Sequence, residues 1–163
     1  MIIVNKNGTL MHNKKLYKCA LGKNGITKNK KEGDKKTPAG IFSLGKIFYR
    51  KDKIKNLKTQ LKKIIIKKNM AWCDDPRNKF YNKLIVTNDK SKEKLFRKDN
   101  LYDIIIVINY NIRPVKKNKG SAIFIHLSRK NYSGTMGCIA LNKKNLIEIL
   151  KSLKNNEKIK IIA

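Results

Sequence analysis

The sequence has 163 residues and a formal net charge of +29 at pH 7, from 40 lysines and arginines against 11 aspartates and glutamates. This length predicts a single domain, residues 1–163, that is large enough to bury a core. No apolar run approaches the roughly 18 residues that a membrane-spanning helix needs. No secretory signal pattern precedes Gly8, so we expect neither a transmembrane segment nor a visible signal peptide.

The positive charge has two interpretations. A strongly basic chain suggests nucleic acid as a partner. Nearly all of the charge comes from lysine, however, and asparagine and isoleucine are also frequent, which is the residue usage of an AT-rich genome. The lysines are scattered, and no zinc-finger, helix-turn-helix or aromatic RNA-binding motif accompanies them. We therefore expect no specific nucleic-acid partner, while nonspecific attraction to anionic polymers stays open.

The first half of the chain is predicted to be mainly strand and loop. An N-terminal hairpin joins strands at 2–4 and 16–21 through a turn at Gly8, and His12 inside it is expected to be solvated. The glycine-containing stretch 22–36 is predicted to be a loop. An apolar run at 41–44 and a short strand at 64–66 follow.

The second half is predicted to hold buried strands and helical segments. Residues 91–98 have a helical composition, while 102–110 and 122–127 have the apolar, β-branched pattern of buried strands. Asn142 is predicted to cap a helix whose apolar residues recur at helical spacing, and a strand at 158–162 closes the chain. The sequence therefore predicts a mainly β fold with one good helix in its C-terminal half.

The chemistry of the chain centres on His126 and Cys138. His126 ends an apolar strand, and Cys138 follows a turn of small residues in which Gly137 permits close backbone approach. A thiol needs a lowered pKa or an adjacent base to act as a nucleophile, and His126 is the base available in this half of the chain. Both residues also fit a buried core, which is how we interpret Cys19 and Cys73. The three cysteines lie far apart without a C-x-x-C pair, so neither a disulfide framework nor a metal site is predicted.

Three separated blocks resemble the L,D-transpeptidase catalytic domain (YkuD-like) family. Residues 32–42 are similar to its G-D-x-x-T-P-x-G-x-F signature, His126 lies on the matching strand, and 135–139 are similar to its [S/T]-x-G-C-[I/V] nucleophile motif. Further segments look like a short, divergent bacterial subfamily, and these are 72–76, 81–82, 102–103 and 120–124. The resemblance covers nearly the whole chain.

The resemblance implies a β-sandwich-like catalytic domain that transfers acyl groups of peptidoglycan stem peptides. Cys138 would be the nucleophile, His126 the proton donor and acceptor, and Gly137 with Cys138 would supply backbone N–H groups to the oxyanion. No cofactor or metal is implied, carbapenem-type β-lactams would be possible acylating inhibitors, and we expect a monomer. Hydrolysis by an L,D-carboxypeptidase, endopeptidase or amidase stays open, as does a basic binding module without activity.

Two positions depart from the family pattern. Met136 stands where the family often has His, and Ala140 replaces the usual Arg two positions after the cysteine. Arg129 and Lys130 are near enough in sequence to supply the missing charge, or they are solvated loop residues. The candidates for substrate binding are Thr135, Ser133, Met136, Arg129 and Ser121. Tyr110 and Asn111 either line the groove or serve in packing.

The expected location follows from the implied substrate. Stem peptides of the wall lie outside the cytoplasmic membrane, which places the protein in the cell envelope or periplasm. Because no signal peptide is visible, a cytoplasmic role on precursors or recycled peptides is the alternative.

Overall fold

The computed structural model describes residues 1–89 and 92–163. This part of the chain forms fourteen strands and one helix. In chain order they are β1 (Ile2–Asn5), β2 (Thr9–His12), β3 (Lys15–Lys18), β4 (Ile26–Thr27), β5 (Thr37–Pro38), β6 (Gly40–Tyr49), β7 (Lys63–Ile65), β8 (Met70–Trp72), β9 (Leu84–Val86), β10 (Glu93–Lys94), β11 (Ile104–Ile108), β12 (Phe124–Leu127), β13 (Ile139–Leu141), α1 (Lys143–Ser152) and β14 (Lys158–Ile161).

A nine-stranded sheet organises the molecule. Its order is β13-β12-β11-β6-β14-β1-β2-β3, with β7 also paired to β6. The long strand β6 joins the two halves, because its first residues pair with β14 and its last residues pair with β11. A second sheet, β10-β8-β9, and a two-stranded sheet, β4-β5, complete the described fold.

Strand β11 separates two apolar cores. Ile104, Ile106 and Ile108 point into the larger core together with residues of α1, while Ile105 and Val107 point into the smaller one. All five residues of β11 are buried, which confirms the predicted strand with two covered faces. The second sheet covers the smaller core, which yields a mainly β, sandwich-like arrangement as predicted.

The N-terminal prediction was partly wrong. The predicted hairpin contains an additional strand, β2, which pairs with both β1 and β3. His12 is only 2% exposed, so the expectation that it is solvated was also wrong. The physical reason is alternation along β2, because Leu10 and His12 share the face that packs inward.

The helix predicted at 91–98 is not present in its described part. Glu93 and Lys94 instead form β10, which pairs antiparallel with β8, and the Leu95 N–H donates to the Met70 carbonyl at 3.1 Å. Ser91 lies outside the described residues. A helix of about eight residues is marginal in water, so pairing with β8 and burial of Leu95 decide the conformation.

The C-terminal helix α1 confirms its prediction. The Asn142 side chain accepts a hydrogen bond from the Asn145 N–H at 2.8 Å and caps the first turn. Leu146, Ile149 and Leu150 are buried against the larger core. Over residues 1–89 and 92–163, no helix has both the length and the apolar composition needed to cross a bilayer.

Candidate functional site

Parallel pairing of β12 with β13 brings His126 and Cys138 to one face of the main sheet. His126 pairs in register with Ala140, and Ile125 with Ile139. Extending the ladder by one residue places Cys138 beside Phe124, two residues before His126 on the neighbouring strand. Because residues two apart on a strand share a face, the thiol and the imidazole project to the same side. The register therefore places the two predicted catalytic side chains on the same face of neighbouring strands.

His126 is held as a neutral base. Its Nδ1 lies 2.9 Å from the Leu127 carbonyl oxygen, which can only accept, so Nδ1 carries the hydrogen and Nε2 keeps its lone pair. The imidazole is 7% exposed and lies edge-to-face against Tyr102, with ring centroids 5.2 Å apart. Burial lowers the pKa of His126 to about 4, although the carbonyl contact opposes this effect. The imidazole is therefore uncharged at neutral pH.

Cys138 is held as a neutral thiol. Its Sγ donates to the Ala122 carbonyl oxygen at 3.2 Å. Burial raises the pKa of Cys138 to about 12, and the nearby Phe124 backbone offsets only part of this rise. The site therefore contains a thiol and an imidazole rather than a preformed ion pair. Such a pair can react only if the thiol proton moves to the imidazole as the sulfur attacks.

The turn before the cysteine is closed by the Thr135 side chain. Its hydroxyl donates to the Cys138 carbonyl at 2.6 Å and accepts the Gly137 N–H at 3.1 Å. The Gly137 N–H, predicted as an oxyanion donor, is thus engaged within the turn, and an oxyanion would have to replace the hydroxyl. Gly137 has φ +135°, and a Cβ there would lie 2.8 Å from the Lys36 carbonyl oxygen. Only glycine fits this close approach.

The early signature block forms a wall against that turn. Asp34 accepts the Lys36 N–H at 2.9 Å, which fixes the turn that presents the Lys36 carbonyl to Gly137. The Thr37 hydroxyl is fully buried and accepts the Gly22 N–H at 2.9 Å. Residues that are distant in sequence thereby shape the approach to the thiol.

A neighbouring segment pairs with both sides of the cysteine. Ala20 and Ala140 exchange two backbone hydrogen bonds at 2.8 and 2.9 Å. Thr135 donates its N–H to Leu21 at 2.8 Å, and its carbonyl accepts from Lys23 at 2.9 Å. Ala140, which is predicted to stand where the family pattern has Arg, is 1% exposed, and its backbone pairs with that of Ala20.

Asn82 is a residue whose role sequence reasoning missed. Its Oδ1 accepts from the Trp72 indole at 2.9 Å and from the Ala122 N–H at 3.0 Å. Its Nδ2 donates to the Tyr110 and Asn111 carbonyls at 3.1 and 2.7 Å. The Asn82 side chain thus fixes the segment in which the Ala122 carbonyl accepts a hydrogen bond from the Cys138 thiol. The pair Tyr81-Asn82 was part of the family resemblance, but nothing in the sequence pointed to these four partners.

The candidate substrate-binding residues divide into two groups. Ser133, Met136 and Arg129 are exposed, and Met136 is 62% exposed beside the buried cysteine. Thr135 is engaged in the turn, and the Ser121 hydroxyl donates to Glu32 at 2.7 Å. Only the exposed group has side chains free to meet a substrate without breaking an internal hydrogen bond.

Metal-ligating side chains do not converge in the described part of the chain. No group of three or more histidine, cysteine, aspartate or glutamate residues in 1–89 and 92–163 could hold a metal ion.

Comparison with known proteins gives one family match and several structural neighbours. The model of the L,D-transpeptidase catalytic domain matches residues 1–161. The helical cell shape determining protein Pgp2 from Campylobacter jejuni is 18% identical at a TM-score of 0.48, covering 98% of this chain and 46% of that one. An L,D-transpeptidase from Mycobacterium smegmatis is 12% identical at a TM-score of 0.47, and the match covers 99% of this chain and 58% of that one. L,D-transpeptidase 1 from Mycobacterium tuberculosis is 9% identical at a TM-score of 0.41, and the match covers 99% of this chain and 60% of that one.

The chain is shorter than these neighbours. It spans less than half of the Campylobacter jejuni protein and about three fifths of the two mycobacterial ones. No curated protein matches the sequence at a significant level.

Proposed function

Because the chain belongs to the L,D-transpeptidase catalytic domain family, we propose that it is a cysteine acyltransferase acting on peptidoglycan stem peptides. The observation that supports this proposal is that the buried thiol of Cys138 and the buried imidazole of His126 share one face of neighbouring strands, with Nδ1 of His126 bound to the Leu127 carbonyl. These two groups suffice for acyl transfer through a thioester without a metal or an organic cofactor.

The first half of the proposed reaction forms an acyl-enzyme. The Cys138 sulfur attacks the carbonyl carbon between an L-centre and a D-centre, and its proton passes to His126 Nε2. Backbone N–H groups of the turn, including that of Cys138, stabilise the oxyanion. When the carbon–nitrogen bond breaks, the departing amine takes the proton from His126 and leaves a thioester on Cys138.

The second half returns the enzyme to its starting state. An amine of another stem peptide attacks the thioester carbonyl and gives its proton to His126. The carbon–sulfur bond breaks, the new amide leaves, and the thiolate recovers the proton. Water can take the place of the amine, in which case the product is a trimmed peptide rather than a cross-link.

Substitution of the nucleophile tests the proposal. Cys138→Ala should abolish both acylation by a carbapenem and turnover of muropeptides, because it removes the sulfur that attacks the carbonyl carbon. Intact-protein mass spectrometry measures the acyl adduct directly. Cys19→Ala is the matched control, since Cys19 is also buried, at 4% exposed, and should leave acylation unchanged. Acylation of the Cys138→Ala protein would contradict the proposal.

Product analysis separates transfer from hydrolysis. Muropeptides incubated with the enzyme and analysed by mass spectrometry should contain cross-linked species if an amine is the acceptor. Trimmed species without cross-links would make the protein an L,D-carboxypeptidase, endopeptidase or amidase that uses the same Cys138 acyl-enzyme.

We also propose that the protein acts in the cell envelope, where the cross-linked wall lies. Fractionation of cells that carry an epitope-tagged copy tests this location. Recovery of the protein only with cytoplasmic markers would instead favour a role on precursors or recycled peptides.

A further inference from the structure

A cationic cavity lies beside the segment that holds the thiol. Its volume is about 420 Å³, and it is bounded by residues 28–30 and 109–119. Besides amide side chains and Tyr110, its described lining contains five cationic residues and no carboxylate. The five are Lys28, Lys30, Arg113, Lys116 and Lys119.

Four of these charges have no counterion in the described structure. Lys30 forms an ion pair with Asp34 at 2.5 Å, whereas the other four are in no ion pair with a residue of 1–89 or 92–163. Several like charges around one concave surface repel one another and concentrate a positive potential there. A bound anion would relieve this repulsion.

The backbone that carries the charges is braced before any ligand binds. The Asn111 side chain donates to the Lys116 and Gly120 carbonyls at 2.9 and 2.8 Å and accepts the Lys116 N–H at 2.8 Å. The Tyr110 hydroxyl donates to the Lys119 carbonyl at 2.5 Å. A cavity wall fixed in this way avoids much of the loop-ordering cost of binding.

The cavity and the thiol belong to one connected unit. Asn82 binds the Tyr110 and Asn111 carbonyls on the cavity side and the Ala122 N–H on the thiol side. The Cα atoms of Gly120 and Ala122 can be at most about 7 Å apart, because only two residue steps separate them. A Cβ at Gly120 would lie 2.9 Å from the Lys30 side chain, so this short stretch of backbone runs from the cavity lining to the Ala122 carbonyl that accepts the thiol hydrogen bond.

We propose that this cavity binds the C-terminal carboxylate of the peptide that acylates Cys138. The proposal rests on the acyltransferase function proposed above and names how its substrate is recognised. Ammonium and guanidinium groups bind carboxylates by charge-assisted hydrogen bonds. They would supply the charge that Ala140 lacks. A single peptide terminus fits an open cavity of about 420 Å³ better than a long polyanion, which needs an extended surface.

Paired peptides and paired variants test the proposal. The substrates are a stem-type tetrapeptide with a free C-terminal carboxylate and the same peptide as its C-terminal amide. The cavity variant carries Lys28→Gln, Arg113→Gln and Lys119→Gln. The control variant carries Lys55→Gln, Lys58→Gln and Lys68→Gln, which removes the same charge from exposed sites outside the cavity.

The expected result is a selective change in KM. The cavity variant should raise KM for the acid about tenfold with kcat changed less than about twofold, since three charge contacts are lost together. It should leave KM for the amide peptide unchanged, and the control variant should leave KM for both peptides unchanged. An equal loss for acid and amide, or an equal loss in the control variant, would overturn the proposal.

Binding to the Cys138→Ala protein gives a reading that does not depend on turnover. Calorimetry should show that the acid binds more tightly than the amide, and that the cavity substitutions remove this preference. If the enzyme does not turn over the acid peptide but still binds it more tightly than the amide, the result counts against the proposed acyltransferase function and not against the carboxylate site. If polyphosphate binds the cavity and the acid shows no preference over the amide, the occupant is a phosphate and the carboxylate proposal is wrong.

Discussion

Burial decides the chemical state of the two central residues. Cys138 and His126 are each 7% exposed, and burial disfavours the charged form of both side chains. The sequence could indicate a thiol and a base from their motifs. It could not indicate that both are neutral, because that depends on the aromatic residues and backbone groups that surround them in the fold.

The acylation rate should therefore show an unusual pH dependence. With a neutral substrate, we expect a rate that is independent of pH from about 5.5 to about 9. The rate should fall as the pH drops through the His126 pKa of about 4, because a protonated imidazole cannot accept the thiol proton. Stopped-flow acylation over this range checks the expectation. An inflection near the ordinary histidine pKa would mean that the pair is more solvated than described.

Other residues show where prediction from sequence stops. His12 was expected to be solvated from its polar neighbours, yet the alternation of β2 buries it. Asn82 gave no local signal, because its four hydrogen-bond partners come from three distant segments. Thr135 is predicted to bind substrate, and the sequence did not indicate that its hydroxyl also closes the turn. Such roles depend on tertiary contacts rather than on residue type.

Among the elements, the turn before Cys138 is fixed by two segments that are distant in sequence but adjacent to it in the fold. Residues 20–23 bind its backbone on one side, and the Lys36 carbonyl contacts Gly137 on the other. The signature block and the nucleophile motif, which the sequence presents separately, form one packed unit. Their order along the chain was visible in advance, but this contact was not.

Adding one methyl group tests this unit. Gly137→Ala would place a Cβ 2.8 Å from the Lys36 carbonyl oxygen at φ +135°, so the turn must shift. We expect a loss of about 1–3 kcal/mol in the free energy of unfolding and a large drop in acylation rate. Gly25→Ala is the control, since Gly25 also has positive φ but a Cβ there meets nothing within 4 Å. Denaturant unfolding and acyl-adduct formation give the two readings, and an active Gly137→Ala protein would contradict this account.

Strand and helix predictions succeeded where burial and local pattern agreed. The apolar run of β11 and the capped helix α1 were both correct, because each pattern matches its packing. The helical composition of 91–98 was misleading, since pairing of Glu93 and Lys94 with β8 outweighs weak local preference. Short segments in tertiary contact are the elements that the sequence specifies least.

At the scale of the whole molecule, the net charge of +29 is a property of the entire surface. The mainly β architecture and the family were predicted from motifs and are confirmed. The strand order was not predictable, because β6 pairs with β14 and β11, which lie far from it in sequence.

Salt should separate general charge attraction from specific binding. We expect the protein to bind duplex DNA weakly at low salt and to lose at least about tenfold in affinity between 50 and 200 mM salt, as counterion release requires. Fluorescence anisotropy with two unrelated duplexes measures both affinity and selectivity. Tight binding that prefers one duplex and persists at the higher salt would instead support a nucleic-acid function.

The parallel ladder between β12 and β13 has a consequence for recognising distant relatives. Backbone hydrogen bonds align His126 and Cys138, so the connection over 128–138 need only return the chain to the start of the next strand. Its exposed part near Arg129 and Lys130 could lengthen or shorten without displacing either side chain. The twelve-residue interval in this sequence is therefore a property of the connection and not of the chemistry. A search that fixes this interval would overlook proteins with the same pair of residues on the same two strands.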